Sequence, residues 1–265
     1  MTKILRPLVL SLAAVLTLLP FTLVVLGAAS SDASILRTDF AEISLDNFWH
    51  NLSRVNGLAE ALLNTSIYCL ILIVTQLGSS IMAAYAFAQF NFKGKKPLFA
   101  LLIFSYLVPG VVTLLPLFFL VTQLGLKGSL AGLLLPMALF SPYAVVLLRQ
   151  RFEAVPRELI DQARLDGLGN FGILTRIILP MSKSFVLLLA VITFVSNWNA
   201  LLWPRLISGN DWPVISVAIA SVRTQYDSHW NIVLAAVAVA LIPALSSFVI
   251  ARRNLVINPL EDVDL

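Results

Sequence analysis

Residues 61–92 read ALLNTSIYCLILIVTQLGSSIMAAYAFAQFNF, without one charged side chain. About 20 apolar residues in a helix suffice to cross the hydrocarbon core of a bilayer. This stretch exceeds that, and its end is expected to emerge into water before Lys93. Uncharged stretches recur at 7–27, 97–126, 128–148, 184–204 and 230–251, and the 18 basic and 14 acidic side chains all lie outside the six. Charge is costly at the bilayer centre, so this partition predicts an all-α, polytopic membrane protein. Six transmembrane helices are expected, in a single transmembrane domain over residues 1–265.

Composition agrees. Hydrophobic residues make up 59% of the chain and charged residues 12%, against roughly 25% charged in soluble domains. Mean hydropathy is +0.91. The net charge of +4 would suggest nucleic acid in a soluble chain, but here it follows from lysine and arginine held on one face of the membrane, and no nucleic-acid partner is expected. With the N-terminus cytoplasmic, thirteen basic residues are inside: Lys3, Arg6, Lys93, Lys95, Lys96, Arg149, Arg151, Arg157, Arg164, Arg176, Lys183, Arg252 and Arg253. Five are outside: Arg37, Arg54, Lys127, Arg205 and Arg223. The positive-inside rule therefore predicts cytoplasmic termini, with 93–96 and 149–183 inside and 28–60 and 205–229 outside. Lys3 and Arg6 ahead of an apolar run, with Leu26-Gly27-Ala28-Ala29-Ser30 after it, resemble a signal peptide. The run is longer than a signal core, and a retained helix is expected.

Cys69 is the one cysteine, so neither a disulfide within the chain nor a cysteine-rich metal site is expected. His50 and His229 stand apart and read as polar loop residues. Small residues at Ser80, Ala84 and Ala88, and the pair Gly128 and Gly132, mark faces where helices approach closely. Prolines 109, 116, 136, 142 and 243 lie inside apolar runs, where they remove backbone donors and kink or break helices. The apolar piece from Trp212 to Val222 is too short to span and is expected to be re-entrant or interfacial.

The most charged segment is the loop 149–183. Its centre reads Ala154-Val155-Pro156-Arg157-Glu158-Leu159-Ile160-Asp161-Gln162-Ala163-Arg164-Leu165-Asp166-Gly167. Proline suits a first helical turn, and an acid is favoured beside it. Glycine ends a helix with positive φ. A helix from Pro156 to Asp166 is expected, stopped by Gly167. A second helix is expected to be capped by Asn170, with Pro180 marking the bend into the next span. Helix–glycine–helix on a membrane face reads either as a docking knob or as a solvated connector, and local sequence leaves both open.

At this point the loop becomes recognisable. Asp161-Gln162-Ala163, three residues, Gly167, nine residues and Ile177-Ile178-Leu179-Pro180 reproduce the spacing E-A-A, three residues, G, nine residues, I-x-L-P, with Asp for Glu and Gln for Ala. This resembles the cytoplasmic loop of permeases in bacterial ATP-binding-cassette importers. Ala83-Ala84-Tyr85-Ala86-Phe87-Ala88, Val108-Pro109-Gly110, Leu124-Gly125-Leu126, Arg149-Gln150-Arg151-Phe152 and Trp198-Asn199 with Leu202-Trp203-Pro204 resemble the carbohydrate branch. That branch is the maltose and glycerol-3-phosphate type, in the subunit with six spans. The similarity covers roughly residues 60 to 255, and Asn254 to Leu265 match nothing in it.

The resemblance implies a type I importer permease fold in the bacterial inner membrane. It implies that Glu158, Leu159, Asp161, Ala163, Asp166, Gly167, Leu179 and Pro180 belong to an element that docks on an ATPase, with small Ala163 easing the approach. It also implies the partners: a second homologous permease, a dimer of ATP-binding-cassette ATPases, an extracytoplasmic solute-binding protein and membrane lipid. No cofactor is expected in this chain, because ATP and Mg would sit on the ATPases. The chain itself carries no G-x-x-x-x-G-K-[ST]. Gly167-x-Gly169-x-x-Gly172 follows a helix rather than a strand, which argues against a dinucleotide site.

Within the spans, Asn64, Trp198, Asn199 and Trp203 pair amides with aromatic rings, the combination that suits a sugar path. The same residues can instead bond neighbouring helices and anchor the interface. A carbohydrate, polyol or sugar phosphate is the expected solute. The alternatives are an importer permease for a non-sugar solute and an ion-coupled secondary transporter. Midplane ionisable groups, which ion coupling usually needs, are missing from the spans, and so is a constellation for a membrane-embedded enzyme.

Overall fold

Prolines decide where the apolar runs become helices. The computed structural model describes residues 2–31, 42–209, 211–225 and 229–255. Asp32, Arg37 and Asp39 of the expected outer loop, and the tail from 256 to 265, lie outside these. The helices are α1 (Thr2–Ala28), α2 (Leu45–Ser53), α3 (Leu58–Gln89), α4 (Lys95–Leu107), α5 (Gly110–Gln123), α6 (Leu130–Leu134) and α7 (Pro142–Glu153). They continue as α8 (Arg157–Leu165), α9 (Asn170–Met181), α10 (Lys183–Trp198), α11 (Leu202–Ile207), α12 (Ile215–Gln225) and α13 (Trp230–Leu255).

Leu5–Ala28, Leu58–Gln89 and Trp230–Arg252 are long and apolar enough to cross a membrane as single helices. Among the described residues the number reaches five when each of two bent pairs is counted as one span: α4 with α5, at 95°, and α9 with α10, at 83°. Breaks at the prolines are expected from the sequence, and two of the apolar runs carry them. The run 97–126 breaks at Val108-Pro109, where Pro109 has φ −59° and ψ 128°. The run 128–148 is not one helix but α6, an irregular segment over 135–141, and α7. Pro136 and Pro142 remove donors there, and Ser129 and Ser141 start the two short helices by accepting from the N–H of Gly132 and Ala144.

Irregular backbone at membrane depth survives only where protein re-satisfies it. Here α3 does so. Gln76 Nε2 donates to the Met137 carbonyl at 2.9 Å, and Ser80 Oγ accepts from the Ser141 N–H at 2.9 Å. Residues 73–77 of α3 form a π-helical turn at this point. The small stripe expected on this helix is used beside it: Ser80 and Ala84 are fully buried where α3 packs on α7.

The chain divides into two compact units, Met1–Leu63 with Pro213–Pro243 and Asn64–Trp212 with Ala244–Leu265. In the first, a chain of buried amides ties α13 to α2 and α2 to the end of α1. Asn231 Nδ2 donates to Asn51 Oδ1 at 2.8 Å, and Asn51 Nδ2 donates to the carbonyls of Ala28 at 2.9 Å and Ser30 at 3.1 Å. In the second, Tyr85 and Phe87 of α3, Leu148 and Phe152 of α7, Ile160 and Ala163 of α8, and Ile173 and Ile178 of α9 share one apolar core. Gly128 and Gly132 lie where the start of α6 approaches the end of α11. Gly128 N–H donates to the Ile207 carbonyl at 2.8 Å, and a Cβ on Gly132 would collide with the Leu126 carbonyl.

Candidate functional site

The loop between α7 and α10 forms two helices, as its sequence predicts, with shifted ends. Pro156 takes the N-cap position and α8 runs from Arg157 to Leu165. Glu158 in its first turn and Arg164 in its last complement the helix dipole. Ile160 and Ala163, three residues apart, turn inward and are buried against Phe152, Val155 and Ile173. Ala163 thus packs into the chain's own core. The outward face carries Glu158, Leu159, Asp161, Gln162, Leu165 and Asp166, all exposed. Arg164 lies 3.5 Å from Asp161, an exposed pair that contributes little stability.

Gly167 ends α8 as expected, with φ +84°. The Leu168 N–H donates to the Ala163 carbonyl at 2.9 Å, and the Gly167 N–H to the Arg164 carbonyl at 3.0 Å. These two bonds form a Schellman cap, which needs a left-handed residue at Gly167. Asn170 does not cap α9. Gly169 holds that position without a side-chain bond, and Asn170 is the first helical residue.

Residues 174–178 of α9 form a second π-helical turn. Leu179 is half-buried and Pro180 exposed in the last turn, and the bend falls at buried Ser182. Arg151 Nη2 donates to the Met181 carbonyl at 2.9 Å, bracing the bend from α7.

Two features here escaped sequence reading. Leu165 is 87% exposed and Phe171 76%, so apolar side chains stand clear of the chain on both sides of the Gly167 turn. The available signal was the inward spacing of Ile160 and Ala163, which leaves Leu165 no place on the buried face. The second feature is a polar cleft of about 430 Å³ beside α8, lined by Gln89, Asn91, Lys95, Glu153, Arg157, Asp161 and Arg164 among others. Its walls come from 88–95 and 153–164, which no periodicity links.

The residues expected along a sugar path separate. Trp198 is buried and stacks on Phe194, with ring centroids 5.3 Å apart at 23°. Trp203 is buried in α11 and donates from Nε1 to the Leu133 carbonyl at 3.2 Å. Both rings are packed within the chain, an arrangement that fits the alternative reading of these residues. Asn64 is also buried. Asn199 is exposed just past the end of α10, with its amide donating to the Val195 carbonyl at 2.9 Å. Among the described residues, no group of three or more His, Cys, Asp or Glu side chains is placed to hold a metal ion.

The family described as the binding-protein-dependent transport system inner membrane component has a model that matches residues 76–258. The chain belongs to that family. The matched region holds the whole α8–Gly167–α9 element and the α10–α11 corner. The family is one of transport permeases, not enzymes, and this permease is an integral membrane protein.

It is 30% identical to the lactose transport system permease protein LacG of Rhizobium radiobacter, covering 96% of this chain and 94% of the relative. It is 30% identical to the arabinooligosaccharides transport system permease protein AraQ of Halalkalibacterium halodurans, covering 81% and 77%. The sn-glycerol-3-phosphate transport system permease protein UgpE of Yersinia pestis is also 30% identical, at 90% and 89%. The permease fold superposes on a chain from the crystal structure of a bacterial ABC transporter involved in the import of alginate, with a TM-score of 0.80 over 95% of both chains at 19% identity.

Proposed function

We propose that the permease forms part of the translocation path of a carbohydrate importer and is driven through the α8–Gly167–α9 element by separate ATP-binding-cassette ATPases. The observation that carries this is the pairing of a rigid seat with an exposed apolar tip. Ile160, Ala163, Ile173 and Ile178 root the element in the core of its unit, while Leu165 and Phe171 project from it. Two exposed apolar side chains flanking one turn support a contact surface there. A rigid root lets force applied at the tip reach α7 and α10.

In this reading Glu158, Leu159, Asp161 and Asp166 meet the ATPase. Gly167 holds the tip in place, and Leu179 and Pro180 lead into the bend. ATP and Mg belong to the ATPase dimer. A second homologous permease completes the path, and an extracytoplasmic binding protein delivers the solute. The thirteen-to-five asymmetry of basic residues supports a cytoplasmic position for this loop and both termini. The names of the curated relatives favour an oligosaccharide, lactose-like sugar or glycerol phosphate as solute.

Purification of the tagged permease with its co-expressed ATPase tests the reading. Leu165→Asp combined with Phe171→Asp should remove the ATPase and abolish uptake of labelled sugar, while membrane insertion and thermal unfolding of the permease stay unchanged. Full retention of the ATPase by this variant would sink the proposal.

A further inference from the structure

The short helix α2 is held across the end of α1. At its N-cap, the Ser44 N–H donates to the Ala29 carbonyl at 3.0 Å. In its last turn, Asn51 Nδ2 donates to the carbonyls of Ala28 and Ser30. Seven residues of helix, about 10 Å, separate these two anchors, yet both meet one three-residue stretch. A helix rising away from α1 could not make both bonds, nor could one folded back along it. So α2 lies level with Ala28, the last residue of a span. A second span ends at the same level. Asn231, beside Trp230 at the start of α13, donates to Asn51 at 2.8 Å.

Unlike α1, which is apolar and exposed nearly all round, α2 is two-sided. At about 100° per residue, Leu45, Phe48, Trp49 and Leu52 fill one side. Asp46 and His50 fill the opposite side, and buried Asn51 faces into the unit between them. Leu45 is 76% exposed and Trp49 62%. Phe48 packs edge-on against Trp49, with ring centroids 5.4 Å apart. Level with the end of a span, a polar side takes water and an apolar side takes lipid. Trp230 marks the same level. It is 42% exposed, with the Arg223 guanidinium 5.7 Å from its ring centroid. Tryptophan favours the headgroup layer, where an apolar ring with a polar edge is at home. We infer that α2 is an interfacial helix, seating Leu45 and Trp49 in the headgroup boundary of the bilayer and fixing the depth of α1 and α13. The inference rests on these two spans crossing the membrane, in either direction, and stands apart from the ATPase reading.

The test is spin labelling of the full-length permease in vesicles of phosphatidylethanolamine and phosphatidylglycerol. Leu45→Cys, Asp46→Cys, Trp49→Cys and His50→Cys are made singly in a Cys69→Ser background and labelled. All four side chains are exposed, so the substitutions leave the core alone. Labels at 45 and 49 should collide with oxygen more than with a water-soluble nickel chelate. Their depth should be about 5–10 Å below the lipid phosphates, as for other helices lying in the interface. Labels at 46 and 50 should show the reverse preference. Leu45→Cys keeps the Trp49 ring and its contact with Phe48, so its depth decides the matter if Trp49→Cys expresses poorly. Nickel access at all four positions would place the helix in water, with its apolar side left to a soluble partner, and would overturn the inference. Labels at 45 and 49 closed to both reagents would overturn it as well, because protein and not lipid would then cover that side.

Discussion

The N–H of Leu168 reaches back across Gly167 to the carbonyl of Ala163, 2.9 Å away. That bond exists only while Gly167 keeps φ +84°, and a Cβ at Gly167 would find nothing within 4 Å. The penalty for a side chain is therefore conformational and not steric, about 1–2 kcal/mol. Gly167→Val should uncouple transport and loosen α8, whereas Gly167→Asn, which tolerates the left-handed region, should retain most activity. Equal uptake loss in both variants would mean that contact with a partner, and not backbone geometry, governs the position.

Arg151 is expected to hold the bend between α9 and α10. A hydrogen bond from a charged donor is worth about 1.5–3 kcal/mol, so Arg151→Met should raise amide exchange over 170–181 with little effect on α3. Uniform exchange across the unit in the variant would count against this bracing role.

Trp203 and Asn199 should behave differently. Trp203→Phe removes the N–H that the Leu133 carbonyl accepts, and about 1 kcal/mol of stability should go with it. Thermal unfolding in detergent reads that loss, with the apparent solute affinity unchanged. Asn199→Leu should alter uptake kinetics and leave unfolding alone. A shift in solute affinity from the Trp203 variant would return that ring to the path.

Gly132→Ala should destabilise by about 1–3 kcal/mol, because the new methyl meets the rigid Leu126 carbonyl and must displace backbone. Unfolding of this variant at the wild-type temperature would show that α6 shifts freely.

Sidedness is testable with single cysteines in a Cys69→Ser background. Gln162→Cys on α8 should resist an impermeant thiol reagent in intact cells, while Ser53→Cys and Ser221→Cys should react. All three positions are exposed. Ser182 would mislead, because it is buried. Labelling at Gln162 alone would invert the topology.

Much of this was legible because it was local. Charge exclusion located the apolar runs, and Pro156 with Gly167 bracketed α8 to within a residue, since capping is decided by immediate neighbours. Pro109, Pro136 and Pro142 announced broken helices. Their number and angle were not readable, because the partners that make the breaks tolerable, Gln76 and Ser80, lie about sixty residues earlier. The inward direction of Ala163 was not readable for a similar reason. A small residue on a short helix suits a close approach from either side, and only Phe152 and Ile173 decide which. Trp198 and Trp203 looked like sugar platforms by composition, yet their burial depends on Phe194 and the end of α6.

The bend at Ser182 gives α9 a mechanical character. Its twelve residues, 170–181, make an arm about 18 Å long, with Arg151 gripping near the fulcrum and Phe171 at the far end. Tilting such an arm by about 10° carries its tip roughly 3 Å while the pivot stays almost still. Displacements no larger than a methylene group or two at the tip are thereby geared down to fine angular adjustments of α10.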